Sequence, residues 1–252
     1  MRGYLPKPGF TSWNPLTGCT KISPGCKHCF AERISRNLQR TGVEKYANGF
    51  QLTMHGDDVI NWPLIHRRPT LIFVNSMSDV FHKDVPTAFI RRIFEVIRRA
   101  EWHRFMIFTK RAERLAEMAP DLDWPRNLWM AVSVENAQYK HRIDLLRTVP
   151  AAVRFVSCEP LLGPIPGLDL TGIDSLACGA ETGPDHRPCD PGWVRLLRDQ
   201  CVAQNVSFAF HGFGGPGDAA EGRDRLIDGE RWRQTHEAYR AFMTGGQMEL
   251  FG

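Results

Sequence analysis

Three of the seven cysteines lie on one short segment and together can hold a soft metal. Cys19, Cys26 and Cys29 have the spacing C-x6-C-x2-C. Prolines and glycines interrupt residues 11–31, so we expect this segment to be a loop and not a helix or a strand. A structural zinc site closes with four protein ligands, whereas a catalytic metal centre keeps one position open. Three thiols on one loop therefore indicate a metal or cluster site with a vacant position.

A closed zinc site is the alternative for these thiols. Its fourth ligand would be His28 or a distant cysteine. Against zinc, Cys26 and Cys29 form a C-x2-C pair, whereas Cys19 has no paired thiol. The other cysteines, Cys158, Cys178, Cys189 and Cys201, are scattered along the chain. Cys178 and Cys201 lie among apolar residues and are predicted to be core thiols.

The composition is that of an ordinary globular protein. The 252 residues are 42% hydrophobic and 24% charged, enough for one large α/β domain or two small ones. The formal net charge of +4 permits contact with an anionic partner such as nucleic acid without requiring it. No apolar run approaches the roughly 20 residues of a membrane span, and the first ten residues do not resemble a secretion signal. We therefore predict a cytoplasmic protein with free thiols and no membrane partner.

Short apolar runs alternate with amphipathic segments through most of the chain. The predicted strands are residues 70–74, 104–108, 128–132, 153–156, 175–178 and 206–210, and the predicted helices are residues 31–40, 86–99, 112–118, 138–146 and 191–204. A further strand before the cysteine loop gives about seven β/α units with parallel strands. We predict an α/β fold, a complete or partial (β/α) TIM-like barrel over residues 1–212, followed by a glycine-rich and charged extension over residues 213–252.

Polar residues follow five successive predicted strands at the point where each ends. In parallel α/β folds these ends meet on one face and build the active site. Helix-capping and turn roles for the small residues, and structural salt bridges for the glutamates, are the alternatives. The residues concerned are Asn75, Ser76, Ser78, Asp79, Thr109, Lys110, Ser133, Glu135, Ser157, Glu159, Glu181 and Thr182.

The cysteine loop resembles the cluster-binding loop of radical S-adenosylmethionine (SAM) enzymes. Their signature is C-x3-C-x2-C with an aromatic residue before the last cysteine. Here Cys26-Lys27-His28-Cys29 keeps the second gap and has His28 at the aromatic position, while the first gap holds six residues instead of three.

Longer motifs resemble a phage-associated three-cysteine-motif family that is grouped with radical SAM enzymes. The matching stretches are TSWNPLTGCTKISPGCKHCFAE, VNSMSDVFHKDVP, SVEN, CEPLLGP, GAETGP and RPCDPGWVRLLRDQC. One segment departs from the family. A lysine is expected after the last strand, and this chain has His211 in that region.

The resemblance implies a barrel of the radical SAM type and a set of site residues. Cys19, Cys26 and Cys29 would bind a [4Fe–4S] cluster, and SAM would bind the fourth iron. The implied cofactor-binding residues are His28, Asn75, Ser76, Ser78, Asp79, Ser133 and Glu135, and the implied substrate-binding residues are Glu159 and Glu181. A flavodoxin- or ferredoxin-type electron donor would be a partner, with nucleic acid and a partner protein as further candidates.

Three hypotheses follow from the sequence. The first is radical SAM catalysis on a nucleic-acid base or nucleotide. The second is a zinc-bound nucleic-acid-binding module without redox chemistry. The third is a non-catalytic barrel that acts as a subunit for another protein.

Overall fold

The computed structural model describes residues 9–215 and 225–243. Along the chain the elements are β1 (Phe10–Trp13), β2 (Leu16–Thr17), α1 (Phe30–Arg40), β3 (Thr53–Met54), α2 (Asp57–Ile60), α3 (Trp62–Ile65), β4 (Leu71–Val74), α4 (Thr87–Arg99), β5 (Arg104–Thr109), α5 (Ala112–Met118), β6 (Leu128–Ser133), α6 (His141–Arg147), β7 (Val153–Cys158), β8 (Ser175–Cys178), α7 (Pro191–Ala203), β9 (Ser207–Phe210), β10 (Leu226–Ile227), β11 (Glu230–Arg231) and α8 (Glu237–Met243).

Seven strands form one parallel sheet whose spatial order follows the chain. The order is β1-β4-β5-β6-β7-β8-β9, and every neighbouring pair is parallel. The sheet curls into a half-barrel with β1 and β9 at its two edges. The predicted α/β fold is confirmed, and of the two predicted forms the barrel is the partial one.

The outer face of the sheet is buried under helices. All six residues of β6 are buried, as expected for a central parallel strand that is covered on both faces. On α4, Ile90, Ile93, Phe94 and Ile97 are at most 1% exposed and have the spacing of a single apolar stripe. This stripe belongs to the same hydrophobic core as the outward-facing strand residues.

The inner face of the half-barrel carries a row of aromatic rings. Phe73 stacks on Phe108 with ring centroids 4.6 Å apart, and Phe108 meets Phe155 edge-on at 5.7 Å. The strand register places the three side chains on the same face. They form an apolar floor beneath the carboxyl ends of the strands.

The segment predicted to be a loop contains two short strands. Thr11, within the predicted loop, belongs to β1, which pairs with β4, while β2 pairs antiparallel with β3. The prediction was wrong there because Pro15 and Gly18 delimit these strands and do not prevent them. The stretch that bears the cysteines, residues 18–29, is a loop with one 3-10 turn at Pro24–Cys26.

The described part of the C-terminal extension packs back onto the sheet. The hairpin of β10 and β11 leads into Trp232, whose carbonyl accepts a hydrogen bond from the Phe210 amide at 2.9 Å. On α8, Tyr239 packs against the cluster that contains Trp129. The domain boundary at residue 212 stays a prediction, and residues 1–8, 216–224 and 244–252 of the two predicted domains lie outside the described residues. No helix in the described ranges has the length and apolar character needed to cross a membrane.

Candidate functional site

The cysteine loop begins over the end of β4 and is fixed there by backbone contacts. The Gly18 amide donates to the Met77 carbonyl at 2.9 Å, and the Cys19 amide donates to the Phe50 carbonyl at 3.2 Å. Gly18 has φ +81°, and a Cβ at this position would overlap the Gln51 carbonyl. Glycine is therefore the residue that this close approach requires.

The three loop cysteines are free, half-buried thiols. Cys19 Sγ lies 3.9 Å from Arg111 Nη2, Cys26 Sγ lies 3.6 Å from Ser23 Oγ, and Cys29 directly precedes α1. Among the described residues, no three His, Cys, Asp or Glu side chains are grouped so as to hold a metal ion. The structure thus brings the thiols onto one loop without drawing them around a single point.

The ionisation of Cys19 is set by its surroundings. Burial raises the pKa of the Cys19 thiol to about 11, and the negative charge of Asp79 adds to this effect, while Arg111 opposes it. A thiol with this pKa is protonated at neutral pH. Binding of a metal to Cys19 would therefore release a proton.

The polar residues after β4 support the start of the loop. Ser76 Oγ donates to Asn14 Oδ1 at 3.2 Å, and Ser78 Oγ donates to the Leu16 carbonyl at 3.1 Å. Asn75 is buried in the left-handed region with φ 56°, and its Oδ1 accepts from the Leu16 amide at 3.4 Å. Its Nδ2 is buried and has no hydrogen-bond partner in the described chain. A strained residue with an unused donor marks this point as a candidate ligand contact.

Asp79 is saturated by internal hydrogen bonds. Its carboxylate accepts from Thr109 Oγ1 at 2.8 and 2.9 Å and from the Phe81 amide at 2.9 Å. Arg111 Nε lies 3.8 Å from the same carboxylate, and Arg111 Nη2 donates to the Thr20 carbonyl at 3.1 Å. Asp79 thereby connects the end of β5 to the cysteine loop.

Glu135 is fully buried and contacts the loop from below. Arg142 Nη1 donates to its carboxylate at 2.9 Å and to the carbonyl of the buried Ser133 at 2.7 Å. Ser23 Oγ, on the cysteine loop, also donates to Glu135. A Cβ on Gly25 would lie 2.6 Å from the carboxylate, so the loop backbone rests directly on Glu135.

Glu181 connects to the loop through an arginine. Its carboxylate accepts from the Arg187 amide at 3.0 Å and from Arg187 Nε at 2.8 Å, and Arg187 Nη2 bridges Glu181 and the Pro24 carbonyl, the latter at 2.8 Å. Burial raises the pKa of the Glu181 carboxyl, but the hydrogen bonds and charge of Arg187 outweigh it, with a smaller contribution from His28, so the net shift is downwards. Glu181 therefore stays ionised at neutral pH.

Three of the strand-end carboxylates thus position the cysteine loop. Glu135 contacts Ser23 of the loop directly. Asp79 reaches Thr20 through Arg111, and Glu181 reaches Pro24 through Arg187. The cofactor-binding role predicted for Asp79 and Glu135, and the substrate-binding role predicted for Glu181, stay predictions. The contacts seen are those of positioning groups.

Glu159 differs because it contacts His211 and not the loop. His211 Nδ1 donates to Glu159 Oε1 at 2.5 Å, and the two side chains are 50% and 33% exposed. Gly179, at the end of the strand between them, permits this contact, since a Cβ there would lie 2.9 Å from Glu159 Oε1. Glu159 follows β7 on the same face as Phe155 of the aromatic floor, and the ion pair is partly exposed. The substrate-binding role predicted for Glu159 stays a prediction.

Stability should depend on pH through this pair. The hydrogen bond to Glu159 raises the pKa of His211 above its ordinary 6.5, with burial opposing and the charge of Glu159 adding. Burial raises the pKa of Glu159, but the hydrogen bond and charge of His211 lower it by a larger amount. The pKa of Glu159 therefore lies below the ordinary 4.5. The ion pair therefore stabilises the fold fully between pH 4.5 and pH 6.5, the ordinary pKa values of the two groups. This stabilisation is lost as the pH rises through the raised pKa of His211, or as it falls through the lowered pKa of Glu159.

The test compares His211→Gln with the wild type by urea unfolding at about pH 5.5 and about pH 9. The wild type should exceed the variant in free energy of unfolding at the lower pH, and the gap should shrink at the higher pH. Glu159→Gln is the matched control, and its difference from the wild type in free energy of unfolding should also shrink at the higher pH. A gap that is equal at both pH values would contradict the ion pair.

Sequence reasoning missed three residues of this site. Ser23, Arg142 and Arg187 hold the strand-end glutamates, yet none was singled out. Arg187 had a weak signal, because it follows Glu181 within one short loop. Arg142 lies seven residues after Glu135 on a predicted helix, where an arginine is usually solvated, and Ser23 had no signal.

Comparisons with known proteins give one family match and distant structural similarities. No curated protein matches the chain. Similar solved structures include a mutant spore photoproduct lyase with bound AdoMet and dinucleoside spore photoproduct (14% identity, TM-score 0.45, covering 75% of this chain and 60% of that one). A spore photoproduct lyase complexed with dinucleoside spore photoproduct has 15% identity and TM-score 0.42, covering 77% and 53%, and a further mutant has 16% and 0.46, covering 75% and 60%. The chain thus spans at most 60% of the length of these proteins.

The family match covers most of the chain. A family model described as "Protein of unknown function (DUF5131)" matches residues 10–236, from the first strand to the segment before α8. It includes the cysteine loop and every strand of the sheet. The chain therefore belongs to the family described as protein of unknown function (DUF5131).

Proposed function

We propose that this protein is a radical SAM-type enzyme whose cysteine loop holds a [4Fe–4S] cluster. The observation that carries the proposal is the placement of three free thiols on one loop, fixed over the strand ends of a parallel half-barrel by three buried carboxylates. Three thiolates from one loop suit a four-iron cluster that keeps one iron open for a cofactor. When bound together with SAM, the cluster supplies the electron that cleaves SAM to methionine and a 5′-deoxyadenosyl radical.

The donor set of this chain, three thiols on one loop, suits such a cluster, whose binding would draw the thiols together. Cys19, Cys26 and Cys29 would bind the cluster, and the unused Asn75 Nδ2 would donate a hydrogen bond to a polar group of SAM. Asp79, Glu135 and Glu181 hold the loop in register with the sheet.

The substrate side of the proposal rests on the exposed ion pair. Glu159 and His211 would bind a polar group of the substrate and exchange a proton with it, and Phe73, Phe108 and Phe155 would form an apolar floor that excludes water. A nucleic-acid base or nucleotide as substrate, a flavodoxin- or ferredoxin-type electron donor, a cytoplasmic location and the phage association belong to the same proposal.

Anaerobic reconstitution with iron and sulfide tests this function. We expect about four irons per chain and a visible charge-transfer band. Under dithionite the reconstituted protein should convert SAM to methionine and 5′-deoxyadenosine, which chromatography detects, and the same sample without dithionite is the control. One tightly bound zinc and no iron after anaerobic purification would favour the zinc hypothesis and overturn the proposal.

A further inference from the structure

A cavity of about 340 Å³ lies between α1 and the segment that follows β8. Its α1 side carries Arg33, Arg36 and Arg40, and residues 182–185 form the opposite side. The end nearest the cysteine loop includes His28 and Cys29. The cavity is therefore continuous with the candidate site.

The arginines form one stripe along the helix. At 100° per residue, Arg33, Arg36 and Arg40 fall within about 60° of one another, and they span about 10 Å along the axis. All three are exposed. A stripe of this length presents three guanidinium groups in a row and not one compact cluster.

Positive charge dominates the cavity lining. Lys27 adds to the three arginines, whereas Glu32 and Asp185 are the only carboxylates among the described residues that line the cavity. Glu32 is shared between Lys21 and Arg36, at 2.8 and 2.6 Å. Within the described ranges, no carboxylate lies within 4 Å of Arg33 or Arg40, so their charges are left for an external anion.

Arg33 is also held in place by the opposite side of the cavity. Gly183 has φ +112°, and a Cβ there would overlap the Arg33 guanidinium. The guanidinium therefore lies directly on the Gly183 backbone. This contact restricts its rotamers and reduces the entropy lost when it binds a ligand.

We propose that this cavity binds the phosphate backbone of a nucleic-acid strand. A single phosphate can reach one or two of the guanidinium groups, whereas a strand carries phosphates in succession, about 3.4 Å apart along the axis of a B-form duplex, so several of them can lie along a stripe of about 10 Å. Arginine donates bidentate hydrogen bonds to phosphate oxygens, and such contacts fix position without reading sequence. The inference that the bound strand is the substrate rests on the proposed function, because His28 and Cys29 line the same cavity.

The test is binding of fluorescently labelled single-stranded DNA and RNA, measured by anisotropy on the full, cluster-free chain over a range of salt concentrations. The triple variant Arg33→Ala, Arg36→Ala, Arg40→Ala should bind about 100-fold more weakly at about 0.1 M salt and lose about two units of the salt slope. Comparison of the DNA and RNA arms shows which strand the cavity prefers. Circular dichroism checks that the variant is folded.

Two matched variants separate the cavity from the overall charge. The triple variant Arg68→Ala, Arg91→Ala, Arg99→Ala removes three exposed arginines outside the cavity and should leave both affinity and slope near wild type. The triple variant Arg33→Lys, Arg36→Lys, Arg40→Lys keeps the charge and should keep the salt slope near wild type, but its affinity should lie between wild type and the alanine triple, because lysine cannot donate bidentate hydrogen bonds.

The inference would be overturned if both alanine triple variants lost the same affinity for the oligonucleotide. It would also be overturned if a polyglutamate competitor bound more tightly than the oligonucleotide. Competition by inorganic phosphate as effective as by oligonucleotide would also overturn it, because it would show a single-anion site. The binding measurement needs no cluster. A protein that assembles the cluster but does not bind nucleic acid refutes only this inference. A protein that binds nucleic acid but holds one tightly bound zinc and no iron refutes only the proposed function.

Discussion

Alanine at Cys19, Cys26 or Cys29 is expected to abolish cluster assembly, each substitution acting alone. Each thiol would hold a different iron of the cluster, so the remaining two cannot replace it. The loss should exceed the roughly 10- to 100-fold fall in metal affinity that follows removal of a residue that only orients a ligand. Iron and acid-labile sulfide per chain, together with the visible absorption band after anaerobic reconstitution, measure the effect.

Cys189→Ala is the matched control for these variants. Cys189 is also a free, half-buried thiol, but it lies just before α7 and outside the cysteine loop. Burial raises its pKa to about 11, as it does for Cys19, so the two thiols differ mainly in position. The control should retain wild-type iron. Equal iron loss from the control, or full iron retention by any loop variant, would contradict the assignment of the three ligands.

The sheet was predictable because its signal is local. Each strand is a short apolar run bounded by polar or glycine residues, and the central strand β6 is buried along its whole length. The number of strands and the gathering of polar residues at their ends follow from that pattern and from parallel pairing. Pro15 and Gly18 misled the prediction of the first loop, because turn residues do not reveal on which side of them a strand lies.

The roles of the strand-end acids were not predictable, because their partners are distant in sequence. Ser23 and Glu135 are 112 positions apart, and Arg187 and Pro24 are 163 apart. Only the tertiary fold brings such pairs together. The sequence pattern predicts the same kind of role, contact with a cofactor or substrate, for Glu135, Glu159 and Glu181. The structure separates them, since Glu135 and Glu181 are buried against the loop while Glu159 remains partly exposed with His211.

Arg142→Met is expected to destabilise the protein by about 3 to 5 kcal/mol, the cost of leaving a buried charge without its partner. Arg142 and Glu135 are 3% and 0% exposed, with 2.9 Å between Nη1 and the carboxylate, and Lys110 Nζ at 4.0 Å is too far away to replace the lost hydrogen bond. The methionine also loses the hydrogen bond to the Ser133 carbonyl. Urea unfolding at neutral pH gives the free energy of unfolding.

Two further variants decide whether the buried charge causes the loss. Arg98→Met breaks an ion pair of the same type with Glu95, but both side chains are about half exposed, so solvent screening should leave stability unchanged within error. Glu135→Gln in the Arg142→Met background removes the stranded charge and should recover part of the stability, so that the double variant loses less than the sum of the single ones. Additive losses would mean that the two residues stabilise the fold independently. A loss no larger than that of Arg98→Met would mean that water reaches Glu135, and the carboxylate beneath the cysteine loop would then be a solvated group free to bind a ligand.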